Sequence, residues 1–392
     1  MPGSAEDKKT EEKKDEKSTP RDNLVESKHS IRIGGKEIRY TVTTGTIVLK
    51  EDVPDKDKDA EVEKARAQIF FIAYTKDGVR DNGKRPITFS FNGGPGSSSV
   101  WLHMGVLGPR RVVLTDEGDL PPPPFQLTDN QYSILDDTDL VFIDPMGTGY
   151  SRPVEGEKAK DWHGFKKDIE SVGDFIRLYV TRYNRWLSPK FLAGESYGTT
   201  RAAGLSGYLQ ERHGMYLNGL ILISAVLDFT TIDFNVNNEL PYILFLPAYA
   251  ATAWYHGKLK SKITLHALLK EVEEFAIGEY NLALIKGASL SPGERANIVE
   301  KLSRFTGLSS DFIERTNLRI ADSHFFKELL RDRGRTVGRL DSRFTGIDRS
   351  GGEGADCVGG VRHAADTAKH FLNAFHVTDR QLELLTNAAI GA

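Results

Sequence analysis

The sequence predicts an α/β fold: a mainly parallel sheet flanked by helices, with a helical cap inserted after the core. Three observations carry that expectation. Short apolar runs alternate with helix-period stretches between about residues 140 and 223, which is the pattern of βα units with helices on both faces of the sheet. Strand-like runs with turn punctuation come before them. From Asn235 onward the apolar residues recur only at helical spacing.

Residues 1 to 28 are nearly all charged or small and hold too little apolar surface to offset the entropy of ordering, so they are expected to form a disordered arm. From Ile31 the runs Ile31–Ile33, Ile38–Val42 and Ile47–Leu49 read as opening antiparallel strands. A charged loop, Glu51 to Lys64, leads to the apolar run Gln68–Tyr74, and Pro86–Phe91 then runs straight into Asn92-Gly93-Gly94-Pro95-Gly96, a backbone-exposing turn. Leu140–Asp144 followed by Phe165, Ile169, Val172, Phe175, Ile176, Tyr179 and Val180 is one βα unit. Lys190–Ala193, the helix-like stretch through Leu209 and the strand Leu220–Ile223 form the next. Helical stretches follow at Pro241–Trp254, Thr264–Ile277, Pro292–Phe305 and Ser309–Thr316. They are expected to cap the sheet's C-terminal edge, where open α/β folds bind ligands. The organisation expected is thus an arm over 1–28, a core over 29–234, a helical cap insertion over 235–348 and an atypical tail over 349–392.

Composition narrows the function. Hydrophobic residues make up 39% and charged residues 27% of the 392, with 52 Lys and Arg against 55 Asp and Glu and a net charge of -3. Such a balance fits an ordinary soluble fold and gives no reason to expect nucleic acid or an anionic membrane as partner. Cys357 stands alone, so neither an internal disulfide nor a cysteine-based zinc site can form. No His-x-x-x-His helix and no dinucleotide loop occurs, and no metal or cofactor is expected. No apolar stretch of the signal-peptide kind opens the chain. As written it is expected to be cytoplasmic, and a start further upstream would make it exported or periplasmic.

One motif carries chemistry. Gly194-Glu195-Ser196-Tyr197-Gly198 lies between an apolar strand and a helical stretch, the strand-turn-helix context that holds a nucleophilic serine on a strained elbow. The glycines fit because side chains there would collide with the adjoining strand and helix. A tetrahedral intermediate at Ser196 needs backbone donors for its oxyanion. One is the N–H of Tyr197, and the other is expected from the glycine-rich loop at Asn92–Gly96.

Three blocks together, Phe91–Ser99, Val141–Ser151 and Gly194–Gly198, resemble the serine carboxypeptidases, which have the α/β-hydrolase fold. The resemblance covers about residues 30 to 348. It implies cleavage of a peptide's last residue through an acyl-enzyme at Ser196, with Gly94 and Tyr197 supplying the oxyanion hole. It further implies that Asn92, Gly93 and Glu195 bind the substrate's terminal carboxylate, which needs a shared proton because two carboxylates in contact cannot both stay ionised. In the same way Asp144 falls in a structural turn.

The chain departs from that family in three places. Its eukaryotic members carry cysteine where Ser97 stands, and a glutamate that partners the Glu195 equivalent where this chain has Val106. From Ser350 the resemblance stops, before the family's Gly-x-x-Asp and Gly-His segments, so the triad Asp and His are not recognisable and the last strands of the sheet are expected to be missing. His363, His370 and His376, with Asp366 or Asp348, are the remaining candidates in the right chain order, and His103, His163 and His256 stand in the wrong one. An elbow serine without its base keeps only about 10³–10⁴-fold acceleration over water. Three readings therefore stay open: a serine carboxypeptidase, another α/β-hydrolase such as a proline-type aminopeptidase or an esterase, and a truncated remnant that binds peptide without turnover.

Overall fold

The computed structural model describes residues 20–347, apart from 55–60, 116–120, 163, 261 and 340. Expectations for the charged arm before residue 20, for the tail from Asp348, and for Cys357, His163, His363, Asp366, His370 and His376 lie outside the described residues. Two compact units emerge, one comprising residues up to Pro109 together with Asn130–Ala225, the other Arg110–Asp129 together with Val226 onward.

The first unit is built on a mixed, eight-stranded sheet. Strand β1 (Asn23–Ile33) pairs antiparallel with β2 (Lys36–Pro54), and β2 with β3 (Glu61–Lys76). The two runs expected separately, Ile38–Val42 and Ile47–Leu49, are halves of one strand, whose register slips only between Leu49 and Lys50. Strand β1 also begins at Asn23, inside the expected arm, because Asn23–Lys28 pair with Thr46–Thr41; ladder hydrogen bonds stabilise a segment whose composition alone cannot. The next four strands, β4 (Ile87–Phe91), β5 (Asp139–Ile143), β6 (Lys190–Glu195) and β7 (Gly219–Ile223), run parallel. Strand order is β1-β2-β3-β5-β4-β6-β7, with the short Arg152–Pro153 strand beside β3. A two-residue turn at Gly34–Gly35 joins β1 to β2 antiparallel, whereas helical crossovers carry the chain from β5 to β6 and from β6 to β7, which run parallel.

Those crossovers are α1 (Phe165–Arg182) and α2 (Tyr197–His213). Both bury their apolar faces in one cluster, where Val172, Phe175 and Leu205 meet Phe71, Phe89 and Ile143. On the opposite face Leu140 and Phe142 pack with Ile31, Tyr40 and Leu102 in a second cluster, so residues of β5 alternate between the two, as a strand's two-residue period requires. The N-terminus of β5 is pinned by charge. Asp139 accepts from Arg85 Nε at 3.2 Å, Arg185 Nη1 at 2.5 Å and the Lys76 amide at 3.0 Å, all nearly buried. Strand β7 is the outermost of the parallel strands among the described residues, and its Leu220, Ile221 and Leu222 are 39, 38 and 39% exposed, although their unbroken apolar run is that of an interior strand.

The second unit is helical. It contains α3 (Leu240–Tyr255), α4 (Leu265–Phe275), α5 (Asn281–Lys286), α6 (Pro292–Thr306), α7 (Ser310–Arg315) and α8 (Asp322–Glu328), close to the helical stretches expected from spacing. Helix α6 opens with a capping box between Ser291 and Glu294, the arrangement that satisfies two orphan N–H groups at once. Leu246, Tyr249, Val272, Leu302, Phe305 and Phe325 form its own core. The ribbon of Arg110–Val112 and Leu127–Asp129 also belongs to this unit, although the sequence places it within the expected core.

Candidate active site

Strand β6 ends at Glu195 and α2 begins at Tyr197, which leaves Ser196 alone to turn the chain. It does so at φ 56° and ψ -126°, a region nearly closed to residues with a side chain, whose occupation stores on the order of 1–3 kcal/mol. Surrounding hydrogen bonds hold it there. The Ser196 amide donates to the Ile223 carbonyl of β7 at 2.9 Å, and its carbonyl accepts from the Thr199 amide at 2.9 Å and the Thr199 hydroxyl at 2.7 Å. A Cβ on Gly194 would run into the Gly198 carbonyl and the Thr199 nitrogen, which confirms why the elbow needs glycine on its strand side.

The glycine-rich loop after β4 meets this elbow directly. A Cβ on Gly93 would meet the Tyr197 and Gly198 nitrogens and the Glu195 carbonyl oxygen, so the two backbones pass with no room for a side chain. Asn92, which is buried, uses its side chain twice: Oδ1 accepts from the Leu102 amide at 3.0 Å, and Nδ2 donates to Glu195 Oε2 at 3.0 Å. Gly94 follows at φ 106°, a conformation only glycine takes readily. The fold thus draws Asn92, Gly93, Glu195, Ser196 and Tyr197 into one place from two loops about a hundred residues apart, with Gly94 next in the chain. Of the two departure positions, the Ser97 amide donates to the Gly93 carbonyl at 3.1 Å, and Val106 is 49% exposed.

Two residues of the site escaped the sequence reading. Arg201 is 1% exposed; its Nε lies 2.8 Å from Asp168 Oδ2 and its Nη1 donates to the Asn92 carbonyl at 2.6 Å. The guanidinium also stands 5.3 Å from the Phe91 ring and 5.2 Å from the Tyr197 ring. A signal was available, since Tyr197, Arg201, Leu205 and Leu209 recur every four residues and put an arginine in the buried stripe of α2. The Tyr197 hydroxyl hydrogen-bonds the Asp168 carboxylate, and burial, then that carboxylate, pushes the phenol up to about 12.

Asp144 sits in a turn held by backbone. It accepts from the Ser99 amide at 2.9 Å, while the Ser151 hydroxyl donates to its carbonyl at 2.6 Å. Burial pushes its carboxyl up to about 6, against the backbone N–H groups of Ser99 and Tyr150 and nearby Arg152. Three histidines of this unit are described, and each has its own partner: His29 with Ser27 at 2.9 Å, His103 with the Tyr74 hydroxyl at 2.6 Å, and His213 with Asp174 at 3.0 Å. Among the described residues no group of three or more His, Cys, Asp or Glu could hold a metal ion, and no described helix is long and apolar enough to cross a membrane.

A family model described as serine carboxypeptidase matches residues 60–277, more than half of the chain. The chain belongs to the serine carboxypeptidase family. Its α/β-hydrolase core carries the elbow and the glycine loop that the strand-turn-helix context and the glycine-rich run led us to expect. The pheromone-processing carboxypeptidase KEX1 of Saccharomyces cerevisiae is 33% identical over 153 residues, 37% of this chain and 20% of that protein. Serine carboxypeptidase-like 45 of Arabidopsis thaliana is 24% identical over 185 residues, 45% of this chain and 37% of that protein. The chain therefore spans well under half the length of these curated relatives. Among solved structures, that of the prohormone-processing yeast carboxypeptidase aligns with a TM-score of 0.39 and 24% identity, over 68% of this chain and 53% of that one.

Proposed function

We propose that this serine carboxypeptidase family chain removes the C-terminal residue of peptides, with Ser196 as nucleophile. Attack of Ser196 Oγ on the last peptide carbonyl forms an ester while the hydroxyl proton passes to a base. The amine of the departing residue then takes that proton, and water hydrolyses the acyl-enzyme. The Gly94 and Tyr197 amides would hold the oxyanion, and Asn92, Gly93 and Glu195 the terminal carboxylate. What supports the reading above all is the strained Ser196 backbone set against the glycine loop, with Asn92 bonded to Glu195 at the same spot.

A specific observation favours a second reading, peptide binding without turnover: the described histidines of the Ser196 unit are all engaged elsewhere. One experiment separates the two. The purified chain is labelled with a fluorophosphonate beside a Ser196→Ala control, then incubated with peptides blocked at the N-terminus or amidated at the C-terminus. Carboxypeptidase action requires Ser196-dependent labelling and trimming of the N-blocked peptide only. Folded protein that binds the N-blocked peptide but neither labels nor cleaves would establish the binder and refute the enzyme. Trimming from the N-terminus would refute both and assign an aminopeptidase.

A further inference from the structure

A buried guanidinium is expensive unless paired and hydrogen-bonded on every side, so its placement in the first turns of the elbow helix calls for an explanation. Arg201 links three elements: it sits on α2, its ion pair is with Asp168 on α1, and its Nη1 donates to the Asn92 carbonyl at the end of β4. Asp168 in turn holds the Tyr197 hydroxyl. One expected oxyanion donor, Tyr197, and the loop that carries the other, Gly94, are therefore tethered to one ion pair, Tyr197 through its hydroxyl and the 92–94 loop through the Asn92 carbonyl. Gly198 on α2 has no room for a Cβ, which would stand 2.8 Å from the Phe91 carbonyl oxygen, so the helix start lies close against the end of β4 while the long Arg201 side chain reaches the Asn92 carbonyl.

We propose that the Arg201–Asp168 pair is a positioning clamp that fixes the glycine loop relative to the nucleophile elbow, and so sets the spacing of the two halves of the oxyanion site. Its catalytic consequence rests on the function proposed above; the clamp itself does not. Arg201 and Asp168 are positioning residues, acting through Asn92 and Tyr197.

The test uses the full chain and its Arg201→Met, Arg201→Lys and Asp168→Asn variants, checked for a cooperative thermal transition. Backbone hydrogen exchange is read by mass spectrometry over 92–98, over 196–201 and over the core strand 139–143. In Arg201→Met, exchange should quicken at least about tenfold at the first two segments and stay unchanged in 139–143. Arg201→Lys, which keeps the charge opposite Asp168 but loses the planar fork, should lie between; it also serves as the test variant if Arg201→Met does not fold. Exchange unchanged at 92–98, or raised equally in all three segments, overturns the clamp. If the parent labels with fluorophosphonate, Arg201→Met should lower the maximal labelling rate about 10²-fold with less than about threefold change in the half-saturating concentration. Loss of affinity with an unchanged maximal rate also overturns it. A parent that does not label refutes the proposed activity, and the exchange comparison then decides the clamp independently.

Discussion

Replacing Gly93 with alanine would measure how closely the glycine loop and the elbow are fitted. The new Cβ would stand 2.7 Å from both the Glu195 carbonyl oxygen and the Gly198 nitrogen, where ordinary contact begins at 3.4 Å. The Tyr197 nitrogen would be closer still, so loop and elbow must separate by about 1 Å. All the atoms met are backbone, Glu195 held by the pairing of β6 with β7 and Tyr197 and Gly198 by α2, so no rotamer change relieves the clash. Overpacking of this kind costs about 1–3 kcal/mol. Gly207 is the matched control: it lies within α2 with nothing near its absent Cβ, and alanine there should stabilise by about 0.5–1 kcal/mol. Equilibrium urea unfolding followed by tryptophan fluorescence reads both. If Gly93→Ala leaves the midpoint unchanged, or if both variants shift the same way, the claim that the two backbones are in contact is wrong. Where the chain labels with fluorophosphonate, the same displacement should also slow labelling by about 10- to 100-fold.

Asp139→Asn should destabilise by about 3–5 kcal/mol, because it strips Arg85 and Arg185 of their buried counter-charge; adding Arg185→Met should recover part of the loss, and a strictly additive pair would contradict the coupling. His103 is buried and held neutral, its pKa pushed down to about 3 by desolvation. A depressed value means stability is full above about 6.5 and falls by up to about 1.4 kcal/mol per pH unit as pH drops toward 3. A His103→Gln variant should show a shallower acid slope in its urea midpoints, and parallel slopes would count against the assignment. Leu222→Lys, on the exposed strand β7, should reduce self-association seen by light scattering; equal scattering from variant and parent would show that this edge is not sticky.

Helix periods and turn chemistry were legible because they are local. The helical spacing of Phe165 through Val180 and of Pro292 through Phe305 led to α1 and α6 within a residue or two. What escaped was set by distant partners. Asn23–Lys28 look like solvated tail until their ladder with Thr41–Thr46 is seen. The ribbon at Arg110–Asp129 has a core address in the sequence but packs with the helical unit. The candidate site divides along the same line. Gly194, Ser196 and Tyr197 announce themselves by strand-turn-helix context, and Asn92–Gly96 by composition, whereas Asp168 looks like any surface acid of an amphipathic helix. Only the fold shows it 2.8 Å from an arginine of the neighbouring helix.

The Ser196 amide hangs from the carbonyl of Ile223, the last residue of β7. That single bond joins the tense peptide at the elbow to the flank of the sheet, with no side chain in between. A tilt or twist of the flank strand is therefore felt at Ser196 as a change in its own backbone angles. For protein engineering, the place to install remote control over this serine is β7, the outermost of the parallel strands among the described residues.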